Sequence, residues 1–168
     1  MQKNYNSSRL DLRFIDPGDA DFIFELLNSP GWIEYIGDRN IHSLEDAEKY
    51  IQKITDSTDI QYWIVRLRED KIPIGMVSFI KRVYLEYHDI GFAFLPAFTK
   101  KGYAREATET VLNDLLSDHP VILATAIPEN HASISLLKKL GFHFKNEIER
   151  DKVKLSLFSN VSPDSGSI

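Results

Sequence analysis

One stretch constrains this chain more than any other: Asp89 to Ala107, which reads Asp-Ile-Gly-Phe-Ala-Phe-Leu-Pro-Ala-Phe-Thr-Lys-Lys-Gly-Tyr-Ala-Arg-Glu-Ala. It describes an apolar strand that breaks at Pro96 and re-enters as a helix through Lys100, Lys101 and Gly102. A helix N-terminus carries unsatisfied N–H groups and partial positive charge, so lysines there are unfavourable unless an anion joins them. The helix end contributes only ~0.3–1 kcal/mol per charge, so a phosphate site needs several N–H groups and cations converging on one ligand. Gly102 lets the backbone come that close. Taken alone, a lysine pair before a helix is more often a solvated loop than a ligand site.

The remaining periodicities place this junction in a larger order. Arg9 to Ile15 alternates with Leu10, Leu12 and Phe14 on one face, a half-buried strand. Asp16 and Pro17 open a helix with the stripe Ala20, Ile23, Phe24 and Leu27, and Pro30 stops it. Gly31 to Asn40 reads as an aromatic loop. Ser43 with Asp46 resembles a capping box for a second helix through Ala47, Tyr50, Ile51 and Ile54. Three strands follow, Tyr62 to Arg68, Ile72 to Arg82 and Leu85 to Phe94, in an antiparallel meander. Tyr103 to Ser117 is a helix and Val121 to Ala126 a short buried strand, which implies a parallel pair. Asn130 caps a helix closed by Lys138, Lys139 and Gly141, and Phe142 to Glu149 with Val153 to Ser159 makes a hairpin whose Val153, Leu155 and Leu157 point inward.

The predicted fold class is α+β: a mixed, mostly antiparallel sheet of about seven strands with helices on both faces, in the order βααβββαβαββ. With 168 residues, 43% of them hydrophobic, one domain over 1–168 is expected, with a core over 9–159 and a loose tail over 160–168. A formal charge of −5 and the lack of any basic run longer than two residues exclude a nucleic-acid surface. Without cysteine there is no disulfide framework, thiolate nucleophile or thiolate metal site. No secretion signal and no membrane-length apolar run is visible, so a cytoplasmic protein, monomer or homodimer, is expected.

Nucleotide motifs can be tested directly. The Walker pattern is absent, and Gly91 lies too far from Gly102 for the dinucleotide turn. A second constellation, Pro128-Glu129-Asn130-His131-Ala132-Ser133-Ile134 leading into Gly141-Phe142, changes the balance. Together with the first it resembles the GCN5-related N-acetyltransferase (GNAT) superfamily, especially the branch that acetylates ribosomal-protein N-termini. The family's phosphate signature, Gln/Arg-x-x-Gly-x-Gly/Ala, falls on Thr99, Gly102 and Ala104, with Thr99 departing from it. The later signature falls on Asn130, Ser133, Ile134, Gly141 and Phe142.

The resemblance implies acetyl-CoA as co-substrate, with its pyrophosphate on Lys100, Lys101, Gly102, Tyr103 and Ala104. It implies pantetheine in a gap where the strand of Phe94 and Leu95 splays from that of Ala124 to Ala126, with an irregularity at the strand end. Asn130 either contacts the cofactor or only caps its helix. The acceptor mouth falls near Trp32, Glu34 and Tyr35, which are alternatively core aromatics and an exposed charge. No metal is implied.

Direct attack of an amine on the thioester needs a neutral amine. Deprotonating a lysine amine at pH 7 costs roughly 4.6 kcal/mol, against about 1.4 for an α-amine. Asp89 stands where the resembling branch often has Glu, and either works as a base through water, or orients the acceptor, or is a strand-edge or solvated charge. His88 faces the opposite side. The family's thiolate-protonating Tyr is replaced by Leu137, which leaves Ser133 as the candidate to hydrogen-bond the sulfur, unless it only helps cap its helix. The activity expected is N-acetyl transfer to a peptide α-amine or a small amine. The alternatives are a non-catalytic acyl-CoA sensor on the same fold, and a scaffold whose lysine loop binds nothing.

Overall fold

The structure, a computed structural model, describes residues 2–163. Its eight strands form one sheet, ordered β1-β2-β3-β4-β5-β6-β8-β7. They are β1 Tyr5–Asn6, β2 Leu10–Phe14, β3 Ile60–Leu67, β4 Pro73–Ile80, β5 Asp89–Phe94, β6 Leu123–Ala126, β7 His143–Arg150 and β8 Val153–Ser159. The helices are α1 Ala20–Leu27, α2 Pro30–Tyr35, α3 Leu44–Thr55, α4 Tyr103–Leu115 and α5 His131–Lys139. Every strand pair is antiparallel except β5 with β6. No helix among the described residues is long and apolar enough to cross a membrane.

Two cores sandwich the sheet. On one face Leu12, Trp63, Val77, Phe79 and Ile90 pack against Ala107, Val111 and Leu112 of α4 and Leu137 of α5. On the other, Ile64, Met76 and Ile80 pack against Ile23 and Leu26 of α1, Trp32 of α2, and Ala47 and Ile51 of α3. Strand alternation therefore sends Ile90, Phe92 and Phe94 to the α4/α5 face, and Asp89, Gly91 and Ala93 to the α1–α3 face. His88 stands on the α4/α5 side as expected, its ring stacked on Phe79 at 4.6 Å and 4.7 Å from His119.

Several expectations are corrected. The sheet gains β1, a two-residue strand too short to show a period. Pro30 does not simply end a helix but opens α2 where a loop was expected, because proline at N1 gives up only an N–H that would be unpaired anyway. Asp16 caps a single 3₁₀ turn, Pro17–Asp19, through a capping box, and the α-helix starts after it. Leu85 to His88 is loop, held where the Lys81 ammonium donates to the carbonyls of Leu85 and Glu86 at 2.9 and 2.8 Å. Val153 is 45% exposed at the tip of the hairpin, whose two-residue turn puts Asp151 and Lys152 at positive φ. Of the tail, residues 164–168 lie outside the described residues. Asn160 is tied to the sheet through the N–H of Ile122 and the carbonyl of Pro120.

Candidate functional site

The parallel neighbours β5 and β6 share a single registered pair, Asp89 with Leu123, whereas β4 follows β5 over all six of its residues and β8 follows β6 over all four. The two strands therefore part after their first rung. The Leu95 N–H donates to Ile74 of β4 and the Leu123 N–H to His88, which sets the phase of β5. Even-numbered residues of β5 turn their backbone groups toward β6, so Phe92 and Phe94 aim N–H and C=O into the opening, joined by Thr125 from the other side. β5 itself carries no bulge. The expected irregularity is a divergence between strands instead, and Phe94 and Leu95 have different fates: Phe94 borders the gap, while both backbone groups of Leu95 are bound internally.

Because β5 and β6 run parallel and each leads into a helix, α4 and α5 start at the same edge of the sheet, on either side of the opening. Before α4 the backbone turns left-handed at Lys100 (φ 62°) and again at Gly102 (φ 82°), the kind of turn from which anion-binding concavities are made. At the non-glycine Lys100 this costs of order 1 kcal/mol. Gly102 offers no side chain as cap, and the Glu106 N–H makes the first bond into the helix, to the Gly102 carbonyl, which leaves the amides of Tyr103, Ala104 and Arg105 ahead of it. Lys100 and Lys101 are exposed and have no carboxylate partner among the described residues; the Lys101 ammonium lies 5.8 Å from the Phe98 ring. Thr99 turns its hydroxyl inward to the Pro96 carbonyl at 2.9 Å, bracing the turn.

Arg9, whose place just before β2 gives no sequence signal of a site, ties this loop to that strand. Its guanidinium pairs with Glu106 at 2.6 Å, donates to the Lys101 carbonyl at 3.2 Å and covers the Tyr103 ring at 4.4 Å. Burial pushes the Glu106 carboxyl up, but hydrogen bonds from Ser7 and Arg9 outweigh it and leave the pKa below its ordinary value. The acid in the first turn of α4 is thereby neutralised locally instead of facing an incoming anion.

At the start of α5, the Asn130 side chain accepts the Ser133 N–H at 3.2 Å, so it caps the helix. The half-buried Ser133 hydroxyl makes no hydrogen bond among the described residues.

At the vertex of the opening, on the α1–α3 face, lies Asp89. It is 4% exposed and neither edge-solvated nor free: Arg82 Nε donates to Oδ2 at 3.0 Å, while Oδ1 is buried without a partner. Burial raises its pKa above the ordinary carboxylate value, and the adjacent guanidinium only partly opposes this. Arg82 also lines an open cavity of about 380 Å³, together with Tyr35 at the end of α2, Ile36 and Arg39 after it, Tyr84 after β4, and Arg150 on the hairpin. Of the three residues expected at an acceptor mouth, Tyr35 is there. Trp32 is 4% exposed within the core, and Glu34 points to solvent on α2. Arg39, Arg82 and Arg150 carried no sequence signal beyond three isolated charges; the proximity of Arg82 to Asp89 across one loop was the only available hint.

The arrangement can hold an extended ligand by its amides, a phosphate at its mouth, and a second molecule on the opposite face. An acetyltransferase (GNAT) domain model matches residues 9–143. An uncharacterized N-acetyltransferase, YnaD of Bacillus subtilis, is 28% identical over 80% of this chain and 79% of its own length. The spermidine N(1)-acetyltransferase of Vibrio cholerae is 26% identical over 81% and 80%. A ribosomal-protein α-N-acetyltransferase solved with coenzyme A superposes with a TM-score of 0.81 at 14% identity, covering 94% of this chain and 97% of that one, which establishes a shared fold.

Proposed function

We propose that this chain, which belongs to the GNAT acetyltransferase family and is an N-acetyltransferase, moves the acetyl group of acetyl-CoA directly onto a primary amine held on the α1–α3 face of the sheet. The observation that carries this reading is the opening between β5 and β6, with two helix N-termini at its edge and a cavity behind it.

The thioester supplies an activated acyl carbon, and this chain's residues supply binding and proton handling. Lys100 and Lys101, with the amides from Gly102 to Ala104, take the phosphates. The free backbone groups of Phe92, Phe94 and Thr125 pair with the amides of the pantetheine arm, and Asn130 shapes the far wall. In the chemical step a C–N bond forms and the C–S bond breaks. Asp89, whose raised pKa makes it a better base than a free aspartate, takes the proton leaving the amine nitrogen, through water. Ser133 gives its unengaged hydroxyl to the departing sulfur, whose pKa resembles the ~8.5 of a cysteine thiol and needs little acid help.

The test is thiol release from acetyl-CoA across α-amines, peptides and polyamines, with thermal unfolding followed in parallel. Acetyl-CoA should raise the melting temperature, and thiol should appear only when an amine is present. Failure of acetyl-CoA to shift unfolding would overturn the reading, and binding without turnover across the whole panel would return it to an acyl-CoA sensor.

A further inference from the structure

The cavity behind Asp89 has a charge character of its own. Three guanidinium groups from parts of the chain far apart in sequence reach it: Arg39 after α2, Arg82 after β4 and Arg150 at the end of β7. Arg82 is matched by Asp89. Arg39 and Arg150 have no ion pair among the described residues; Arg150 lies 3.9 Å from the Tyr84 ring centroid, which fixes its plane without cancelling its charge. Among the described residues, the one carboxylate lining the cavity is Asp151, next to Arg150 in the exposed hairpin turn.

Such a site is built for an anion. Guanidinium groups recognise carboxylates by paired, planar hydrogen bonds and repel like charges brought against them. A polyamine would place several ammonium groups among these arginines. The positive field also helps the reaction, because it disfavours the protonated form of an incoming amine. At about 380 Å³ the cavity is near the lower end of the range for small-molecule sites, about 300–1,000 Å³, which suits a group of amino-acid or dipeptide size.

The geometry points to an acceptor that carries a carboxylate within a few bonds of its primary amine, with Arg39 and Arg150 as the residues that select it. This rests on the acetyl-transfer reading above and narrows it: the substrate class is an acidic amine, either a free amino acid or a peptide N-terminus with an acidic side chain, and not a polyamine.

The experiment compares matched acceptors with the full chain and saturating acetyl-CoA: aspartate and glutamate, dipeptides beginning with Asp or Glu, their Asn and Gln counterparts amidated at the C-terminus, and spermidine. The carboxylate-bearing acceptors should exceed their neutral counterparts at least tenfold in kcat/KM, with spermidine lowest. Free amino acids against dipeptides separates the two sources of the amine. Arg150→Gln should collapse the acid-over-amide ratio toward one while the shift of unfolding by acetyl-CoA is kept. Arg39→Gln, in an exposed segment away from the hairpin, gives the same readout should Arg150→Gln unfold. Calorimetric binding of the same pairs to the CoA-saturated protein supplies a measure that needs no turnover, and acidic amines should bind more tightly there too. Spermidine as the best acceptor, equal handling of acid and amide, or an unchanged ratio in both variants would overturn the inference. Loss of the acetyl-CoA shift itself would instead strike the acetyl-transfer reading.

Discussion

The two sides of the site are made of different material. The side facing α4 and α5 is backbone: diverging strands, two left-handed residues and uncapped helix amides, contributed largely by one stretch from Phe92 to Arg105. The side facing α1–α3 is side chain: Tyr35, Arg39, Arg82, Tyr84 and Arg150, gathered from three separate parts of the chain. A site made of backbone groups depends less on its side chains, and at Thr99 the hydroxyl is turned to the Pro96 carbonyl and away from the loop's free amides. A side-chain cavity can be re-specified residue by residue without disturbing the strands that carry it.

The sharpest way to break this division is Asp89→Asn, since Asp89 sits where the two sides meet. Loss of a proton acceptor should lower kcat about 10²–10⁴-fold while acetyl-CoA still shifts the melting curve. A kcat within a few-fold of the parent would remove Asp89 from the chemistry and leave it only as the partner of Arg82. Gly102→Val comes next. Its φ of 82° is strained for a β-branched residue and the added Cβ would lie 3.3 Å from Arg9 Nη2, so acetyl-CoA affinity should fall about tenfold or more, read by calorimetry. Unchanged affinity would mean that the loop does not hold the phosphates.

Ser133→Ala should cost about 2–10-fold in kcat, the worth of one neutral hydrogen bond, and should leave the Asn130 cap intact because that bond uses the backbone N–H. A drop in stability instead of rate would make Ser133 a capping residue after all.

The smallest effect separates the two sides by pH. Glu106 titrates below its ordinary value, so the stability it contributes is present above that value and disappears as pH falls through the lowered one. Asp89 titrates above its ordinary value, so its contribution is fully present below that value and is lost as pH rises through the raised one. Carboxylate ¹³C titrations by NMR should move the two in opposite directions. A shared direction would mean that Arg82 dominates Asp89 as Arg9 and Ser7 dominate Glu106.

The same contrast decides what could be read from the residues. Elements with a full period were legible: the Leu10, Leu12, Phe14 strand, the α3 stripe behind Ser43, and the α4 and α5 helices with their caps. Those lacking one were not, such as the two residues of β1, or α2, whose Pro30-Gly31 start looks like punctuation. The strand expected through Leu85 has the right composition, but Lys81 captures its carbonyls and keeps it a loop. Lys100 to Ala104 and Asn130 to Ser133 are contiguous, so their chemistry shows in one line of sequence. The arginine cavity depends on the path of the chain in three dimensions, and no local pattern encodes it.

The single rung between Asp89 and Leu123 has a mechanical meaning as well. It leaves the sheet as two hydrogen-bonded plates, β1 to β5 and β6, β8 and β7, whose ladders meet along their seam at one registered pair while the core under α4 and α5 spans both. A ligand threaded through that seam would supply the missing rungs and act as a temporary strand, so occupancy should stiffen the molecule across its middle. Amide exchange at Phe92, Phe94 and Thr125 would slow together when acetyl-CoA binds, reporting how tightly the two plates are laced.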